Sequence, residues 1–295
     1  MSLDVGRVGA EAATDVLSVI RTAFAARPTL DPPADALVET EASVAAELRA
    51  HGGLLAILDG EPVGALLLRP GADAMLVRRF GVVPTAQGRG VAKALVRGVL
   101  DATLGHAALA VLAREELPAT VAFWEGHGFV VSERRSPYVE LRRPLDTSWE
   151  AVDADEMRAL GERLGRSVHA GDVVVLTGEL GAGKTTLTQG LGIGLGVRGA
   201  VTSPTFVIAR VHPSLVGGPD LVHVDAYRLG GIDELDDLDL DTSLDDAVTV
   251  VEWGAGLVEG LAESRLEITI TRALADESTD AELDPRVVHA RRVHG

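Results

Sequence analysis

The chain has 295 residues, 46% of them apolar and 3% aromatic, a formal net charge of −17, and no cysteine. That length and apolar share exclude a single small domain and wholesale disorder, so two cores built mainly from Leu, Val and Ala are expected. The missing cysteines exclude disulfides and thiolate metal sites, and the acidic balance argues against general nucleic-acid binding.

The chain opens Met1-Ser2-Leu3-Asp4-Val5, without the basic start and apolar run of a secretion signal. No apolar stretch approaches the roughly 18 residues a bilayer span needs, so a cytoplasmic protein with no membrane role is expected. Val16, Ile20 and Phe24 recur every four residues behind Asp15, which predicts a first helix. A proline-rich loop at 27–33 leads to a second predicted helix at 42–50. The apolar runs 54–58 and 63–68 flank Asp59-Gly60-Glu61-Pro62 and predict a strand hairpin. A strand is expected at 75–83, then a glycine-rich turn and a helix at 91–100. A strand at 108–113, a short helix at 119–126 and a closing hairpin or strand at 129–141 complete this half.

A boundary falls near Asp146-Thr147-Ser148. Asp153 followed three residues later by Glu156 starts a helix that carries Met157, Leu160 and Leu164 on one face. The run 173–177 is short, mostly β-branched and apolar up to Thr177, as suits a strand buried on both faces of a parallel sheet. A helix at 185–195 and strands at 222–224, 248–251 and 266–271 follow, and the polar tail from about 275 is expected to be loose. The fold class is α/β, in two domains: 1–145 and 146–295.

Gly178-Glu179-Leu180-Gly181-Ala182-Gly183-Lys184-Thr185 matches G-x-x-x-x-G-K-[ST], between a buried-strand pattern and a helical one. The glycines let successive N–H groups converge on one centre, to which the helix N-terminus adds its dipole. Lys184, which is with Lys93 one of only two lysines, places a point charge between outer phosphates, and the Thr185 hydroxyl can join a Mg²⁺ shell. This predicts ATP held by Gly181, Ala182, Gly183, Lys184, Thr185 and Thr186. Asp225 and Glu252 end apolar runs, where carboxylates face the ligand crevice of an α/β sheet, and are the candidate catalytic groups beside Lys184.

With Ser203-Pro204-Thr205-Phe206, His223-Val224-Asp225-Ala226-Tyr227-Arg228-Leu229 and Glu252-Trp253, these residues stand in the order and spacing of one family. From about Thr147 to Arg272 the chain resembles TsaE, the ATPase component of bacterial threonylcarbamoyladenosine synthesis on tRNA. The resemblance implies that Thr205 senses the γ-phosphate, Asp225 is the essential acid, and Glu252 is the Walker-B-type glutamate that shares the metal with Thr185. It places Trp253 near the nucleotide. It also implies TsaB- and TsaD-like partners, through which tRNA is mainly contacted. One departure is Gly254-Ala255-Gly256, where family members often carry a further acidic residue.

In the first half, Phe80-Gly81-Val82-Val83-Pro84 runs into Gln87-Gly88-Arg89-Gly90-Val91-Ala92, a strand, a turn and a helix start with amides placed for a pyrophosphate. Together with Phe123-Trp124-Glu125-Gly126-His127-Gly128-Phe129, this resembles the GNAT superfamily of acetyl-CoA-dependent N-acetyltransferases over about residues 1–145. The resemblance implies that acetyl-CoA binds through the amides of Gly88 to Ala92, with the Val82-Val83 strand pairing to pantetheine. Trp124 replaces the usual tyrosine acid and Leu117 a frequent asparagine; indole cannot act as that acid, which leaves Tyr138, water or a weak activity. Glu41, Glu47 and His127 are the candidates for general base, and the acetyl acceptor is not named by the sequence. The reading is a GNAT-like enzyme fused to a TsaE-type ATPase. The alternatives are a nucleotide-gated assembly factor with incidental hydrolysis, or an acetyltransferase regulated by ATP.

Overall fold

The computed structural model describes residues 2–71, 73–204, 208–228, 246–254, 256, 264–272 and 285–294. The chain divides into two units, Met1–Leu145 and Asp146–Gly295.

The first unit comprises β1 (Leu3–Val8), α1 (Ala13–Ala25), α2 (Glu41–His51), β2 (Gly53–Leu58), β3 (Glu61–Pro70), β4 (Met75–Val82), α3 (Val91–Ala102), β5 (Ala108–Arg114), α4 (Pro118–Glu125), β6 (Val130–Arg135) and β7 (Tyr138–Pro144). Its seven-stranded sheet has the order β1-β2-β3-β4-β5-β7-β6. The continuous apolar run of β3 is explained by helices on both faces: Leu66 and Leu68 pack with Leu95 and Val99 of α3, while Ala65 and Leu67 pack with Val16 and Ile20 of α1. The period of two thus sends alternate side chains into separate cores. The predicted hairpin turn has positive φ at Asp59 (54°) and Gly60 (91°), as two-residue hairpins favour. All neighbours are antiparallel except β4 and β5, which pair only from Met75–Val77 to Leu109–Val111, although β4 runs on to Val82 and β5 to Arg114. The two strands therefore part in mid-sheet.

The second unit comprises β8 (Ser148–Ala151), α5 (Ala154–Gly165), β9 (Val173–Gly178), α6 (Lys184–Leu195), β10 (Ala209–His212), β11 (Asp220–Asp225), β12 (Ala247–Glu252), β13 (Ser264–Arg272) and β14 (Arg286–His294). The sheet order is β10-β11-β12-β9-β13-β14-β8, with β11, β12, β9 and β13 parallel. All six residues of β12 are buried, as a central parallel strand requires. Asp153 caps α5 by accepting from the N–H groups of Asp155 (2.9 Å) and Glu156 (2.8 Å).

Helix α6, which begins at the phosphate loop, is fixed by close backbone approach to α5. A Cβ on Gly161 would lie 2.3 Å from Leu187 O, and one on Gly194 would lie 2.3 Å from Glu162 O. Gly161 and Gly165 on one helix face Gly190 and Gly194 on the other, so Ala at any of them would push the helices apart.

Four strands lay outside the sequence-based expectations: β1, β8, β10 and β14. The expected loose tail is corrected for Arg286–His294, which pairs along its whole length with β13 and at four residues with β8. A buried ion pair holds it: Arg292 donates to Asp172 at 2.7 and 3.1 Å. Burial alone would raise the Asp172 carboxyl. The hydrogen bond from His169 and the charge and hydrogen bonds of Arg292 outweigh that and hold it far below the usual carboxylate range.

Candidate functional site

Strands β9, β11 and β12 end side by side, because Asp225 is in register with Glu252 and Glu252 with Leu176, two residues before Gly178. Parallel strands end on one edge of the sheet, so residues far apart in sequence meet at the start of α6. There, Thr185 donates its hydroxyl to Glu252 Oε1 at 3.0 Å, across 67 residues. Glu252 is 3% exposed and Asp225 6%. Ser203 Oγ donates to Asp225 Oδ2 at 3.5 Å, and the Tyr227 N–H donates to Oδ1 at 3.1 Å, so both carboxylate oxygens of Asp225 are oriented.

Lys184 is 5% exposed. Its ammonium donates to Gly178 O (2.8 Å) and Glu179 O (3.0 Å) and lies 3.8 Å from the Trp253 ring centre, a cation–π contact. Burial lowers its pKa, and the negative charges of Glu252 and Asp225 oppose that shift. Trp253 holds a left-handed φ of 62°, donates its N–H to Leu176 O at 3.0 Å, and meets the Tyr227 ring at 5.3 Å in a tilted contact. Gly181 (φ 78°) and Gly183 (φ 104°) turn the loop, and a Cβ built on Gly181 meets nothing within 4 Å, so the mouth is open on that side. Ala182 is buried and Thr186 half-buried on α6. Thr205 and Phe206 lie outside the described residues, as does Leu229.

The residues present fit a nucleotide with its metal: an open glycine cradle, one buried cation, and a hydroxyl beside a carboxylate. Thr185 and Glu252 are the pair that would hold Mg²⁺.

The glycine-rich turn of the first unit is built differently. Gly88 (φ 75°) and Gly90 (φ 83°) flank Arg89, and neither has any atom within 4 Å of a built Cβ. Gly90 caps α3, with Val91 buried at the first helical position and Ala92 half-buried after it. The side chains near the turn are occupied with the protein itself: Gln87 Nε2 donates to Val82 O at 3.5 Å, and Arg89 pairs with Asp59 at 3.4 Å. These free-standing glycines and the parting of β4 from β5 fit a pyrophosphate and an extended chain. Val83, expected to pair with pantetheine, is already engaged within the protein: its N–H donates to Val63 O (2.9 Å) and its carbonyl accepts from the Ala86 N–H (3.0 Å).

Trp124 is 4% exposed and packs against Phe80 (4.9 Å), Phe123 (5.2 Å) and Phe129 (4.9 Å). It is a core residue. Leu117 precedes α4 without a side-chain cap. The base candidates are all engaged: Glu41 accepts from Thr14 Oγ1, Glu47 is paired with Arg69 and Arg78, and His127 Nδ1 is 2.7 Å from Phe123 O. The Tyr138 ring lies 5.3 Å from the Arg114 guanidinium.

Residues 151–280 match the family model "Threonylcarbamoyl adenosine biosynthesis protein TsaE". A protein of that name from Streptomyces coelicolor is 70% identical over 125 residues, which cover 42% of this chain and 84% of the relative. This chain belongs to the TsaE family. A Bacillus subtilis TsaE is 41% identical over 130 residues, covering 44% of this chain and 80% of that protein. Residues 19–129 match the acetyltransferase (GNAT) family model, so a GNAT domain and a TsaE domain are joined in one chain. Half of this chain (49%) also aligns with 99% of an N-acetyltransferase, PaiA, from Thermoplasma acidophilum, solved with coenzyme A, at 14% identity and a TM-score of 0.43.

Two groups at the TsaE site were not assigned a role from sequence. His223 Nε2 lies 2.9 Å from Glu252 Oε1, and its signal was a polar residue amid the apolar run Leu221-Val222-His223-Val224. Arg286 reaches Gly181 O at 3.5 Å from β14, a strand invisible in the polar tail.

Proposed function

We propose that the TsaE domain binds ATP with Mg²⁺ and hydrolyses it as part of threonylcarbamoyladenosine synthesis on tRNA, and that the GNAT domain is an acetyl-CoA-dependent N-acetyltransferase. The observation that carries the ATPase reading is the Thr185–Glu252 hydrogen bond at the mouth of the glycine loop. It joins the two residues that phosphoryl chemistry needs beside one metal. Mg²⁺, when bound, supplies charge neutralisation on the outer phosphates. The loop amides from Gly181 to Thr186 bind phosphate oxygens, and Lys184 exchanges its bonds to Gly178 O and Glu179 O for the same kind of oxygen. Asp225, with both oxygens oriented by Ser203 and Tyr227, is placed to align water, while Trp253 covers Lys184 and excludes bulk solvent. Thr205 is proposed as the γ-phosphate sensor by family resemblance.

The tRNA step is proposed to run in the cytoplasm through TsaB- and TsaD-like partners. The net charge of −17 supports tRNA being gripped by those partners rather than by this chain. In the GNAT domain, Gln87, Gly88, Arg89, Gly90, Val91 and Ala92 are proposed to hold the pyrophosphate of acetyl-CoA. Because Trp124 is core, the thiolate takes its proton from Tyr138 or water.

Reconstitution with TsaB- and TsaD-like proteins, an activated threonylcarbamoyl donor, tRNA and ATP tests the main reading. Multiple-turnover formation of the modified nucleoside is expected with the wild type and is lost with Lys184→Ala; undiminished turnover in that variant overturns it. Full turnover with a non-hydrolysable ATP analogue supports the gated assembly factor instead.

A further inference from the structure

We infer that His223 is a positioning residue for Glu252, fixing which carboxylate oxygen faces the nucleotide; this rests on the ATPase reading above. His223 is fully buried in β11, and its Cα partner on β12 is Val250, two residues before Glu252, so both side chains emerge from the same face of the sheet. Its Nε2 lies 2.9 Å from Glu252 Oε1, the same oxygen that accepts the Thr185 hydroxyl at 3.0 Å. A ring nitrogen that close to an ionised carboxylate carries the hydrogen. Two donors on Oε1 use its lone pairs and fix the rotation of the carboxylate, so Oε2 is the oxygen left to face the mouth of the loop. Among the described residues, the recorded bonds to Glu252 are both to Oε1.

A packing role does not explain this histidine. Among the described residues its other nitrogen, Nδ1, is buried without a partner, which is unfavourable. Its neighbours Leu221, Val222 and Val224 show that an apolar side chain is the local solution for filling space. The polar ring is worth its cost only through Nε2. The donor works at a distance from the nucleotide, through Glu252, as outer groups orient the ligands of a metal site.

The test is a pair of substitutions in the full-length chain. Phe in His223→Phe keeps an aromatic ring, somewhat larger than imidazole, and removes the donor. Gln in His223→Gln carries an amide nitrogen the same number of bonds from Cβ as Nε2 and keeps one. The phenylalanine variant is expected to lower kcat for ATP roughly tenfold or more, with Kd for ATP changed less than about threefold, and the glutamine variant to recover most of kcat. Nitrogen-15 NMR of the histidine rings gives a readout without nucleotide: the signal absent from both variants should show hydrogen on Nε2. A phenylalanine variant with wild-type kcat, a glutamine variant that folds but is no faster than the phenylalanine one, or a wild-type ring protonated on Nδ1 alone each overturn the inference. If His223→Phe does not fold, the glutamine variant and the wild-type spectrum decide. Wild-type protein that neither binds nor turns over ATP, and behaves as Lys184→Ala does, sinks the ATPase reading; His223 is then judged by its spectrum alone.

Discussion

Both units present glycines with positive φ at a helix N-terminus, yet only one surrounds them with reactive side chains. Around Gly181 and Gly183 stand Lys184, Thr185, Asp225 and Glu252, each buried or half-buried and hydrogen-bonded to another strand or loop. Around Gly88 and Gly90 the nearby charge, Arg89, is half-exposed and tied to Asp59, and the residue at the usual acid position is core indole. Backbone amides suffice to hold a phosphate. Chemistry on one requires buried charge, and burying charge requires the partners that a strand end in a parallel sheet supplies. On the proposed function, the first turn serves as a handle and the second as a reaction site.

The largest effect expected is from Lys184→Ala, which should lower ATP turnover roughly a hundred- to a thousandfold and leave acetyl-CoA affinity unchanged by calorimetry. A parallel loss of acetyl-CoA binding would break the contrast, because the two sites would then act as one. Next is Arg292→Ala, which strands Asp172 in the TsaE domain. A loss of about 3–5 kcal/mol is expected in urea unfolding followed by tryptophan fluorescence. The pH dependence has a definite sign. Asp172 is depressed when folded, so its contribution is complete above the ordinary carboxylate pKa, near 4, and is lost as pH falls towards the folded value. The gap between wild type and variant should narrow below about pH 4.

Gly90→Glu should weaken acetyl-CoA binding about tenfold, since a φ of 83° strains any side chain and the carboxylate repels pyrophosphate. ATP turnover should not change. The smallest effect is expected from Trp124→Phe. Acetyl transfer should proceed at close to the wild-type rate after correction for folded fraction, because a core ring is not the proton donor. A large fall in kcat with intact folding would make Trp124 part of the reaction and blur the difference between the two sites.

Much of the site was legible because the phosphate loop is contiguous and local: eight residues determine their own turn, and Lys184 and Thr185 come with it. Asp225 and Glu252 were also readable, since each ends an apolar run and parallel strands end together. The role of His223 was not, because it depends on register between β11 and β12, which places its ring beside Glu252 across 29 residues. Nor was β14, whose polar, arginine-rich sequence has little apolar patterning and forms a strand only because β13 and β8 offer edges and Asp172 offers a charge. The close glycine contacts between α5 and α6 had the same cause, since a missing Cβ means something only against a particular neighbour.

The sequence by itself determined two α/β units, a phosphate loop with its lysine and hydroxyl, and the family each half resembles, since short-range pattern and spacing encode all of these. The tertiary structure decided which groups meet. It made one oxygen of Glu252 the acceptor of two donors, tied Val83 to Val63, sealed Trp124 in a core and turned a polar tail into a strand. Those outcomes depend on contacts between residues far apart in the chain, whose energies arise only when strands and helices pack.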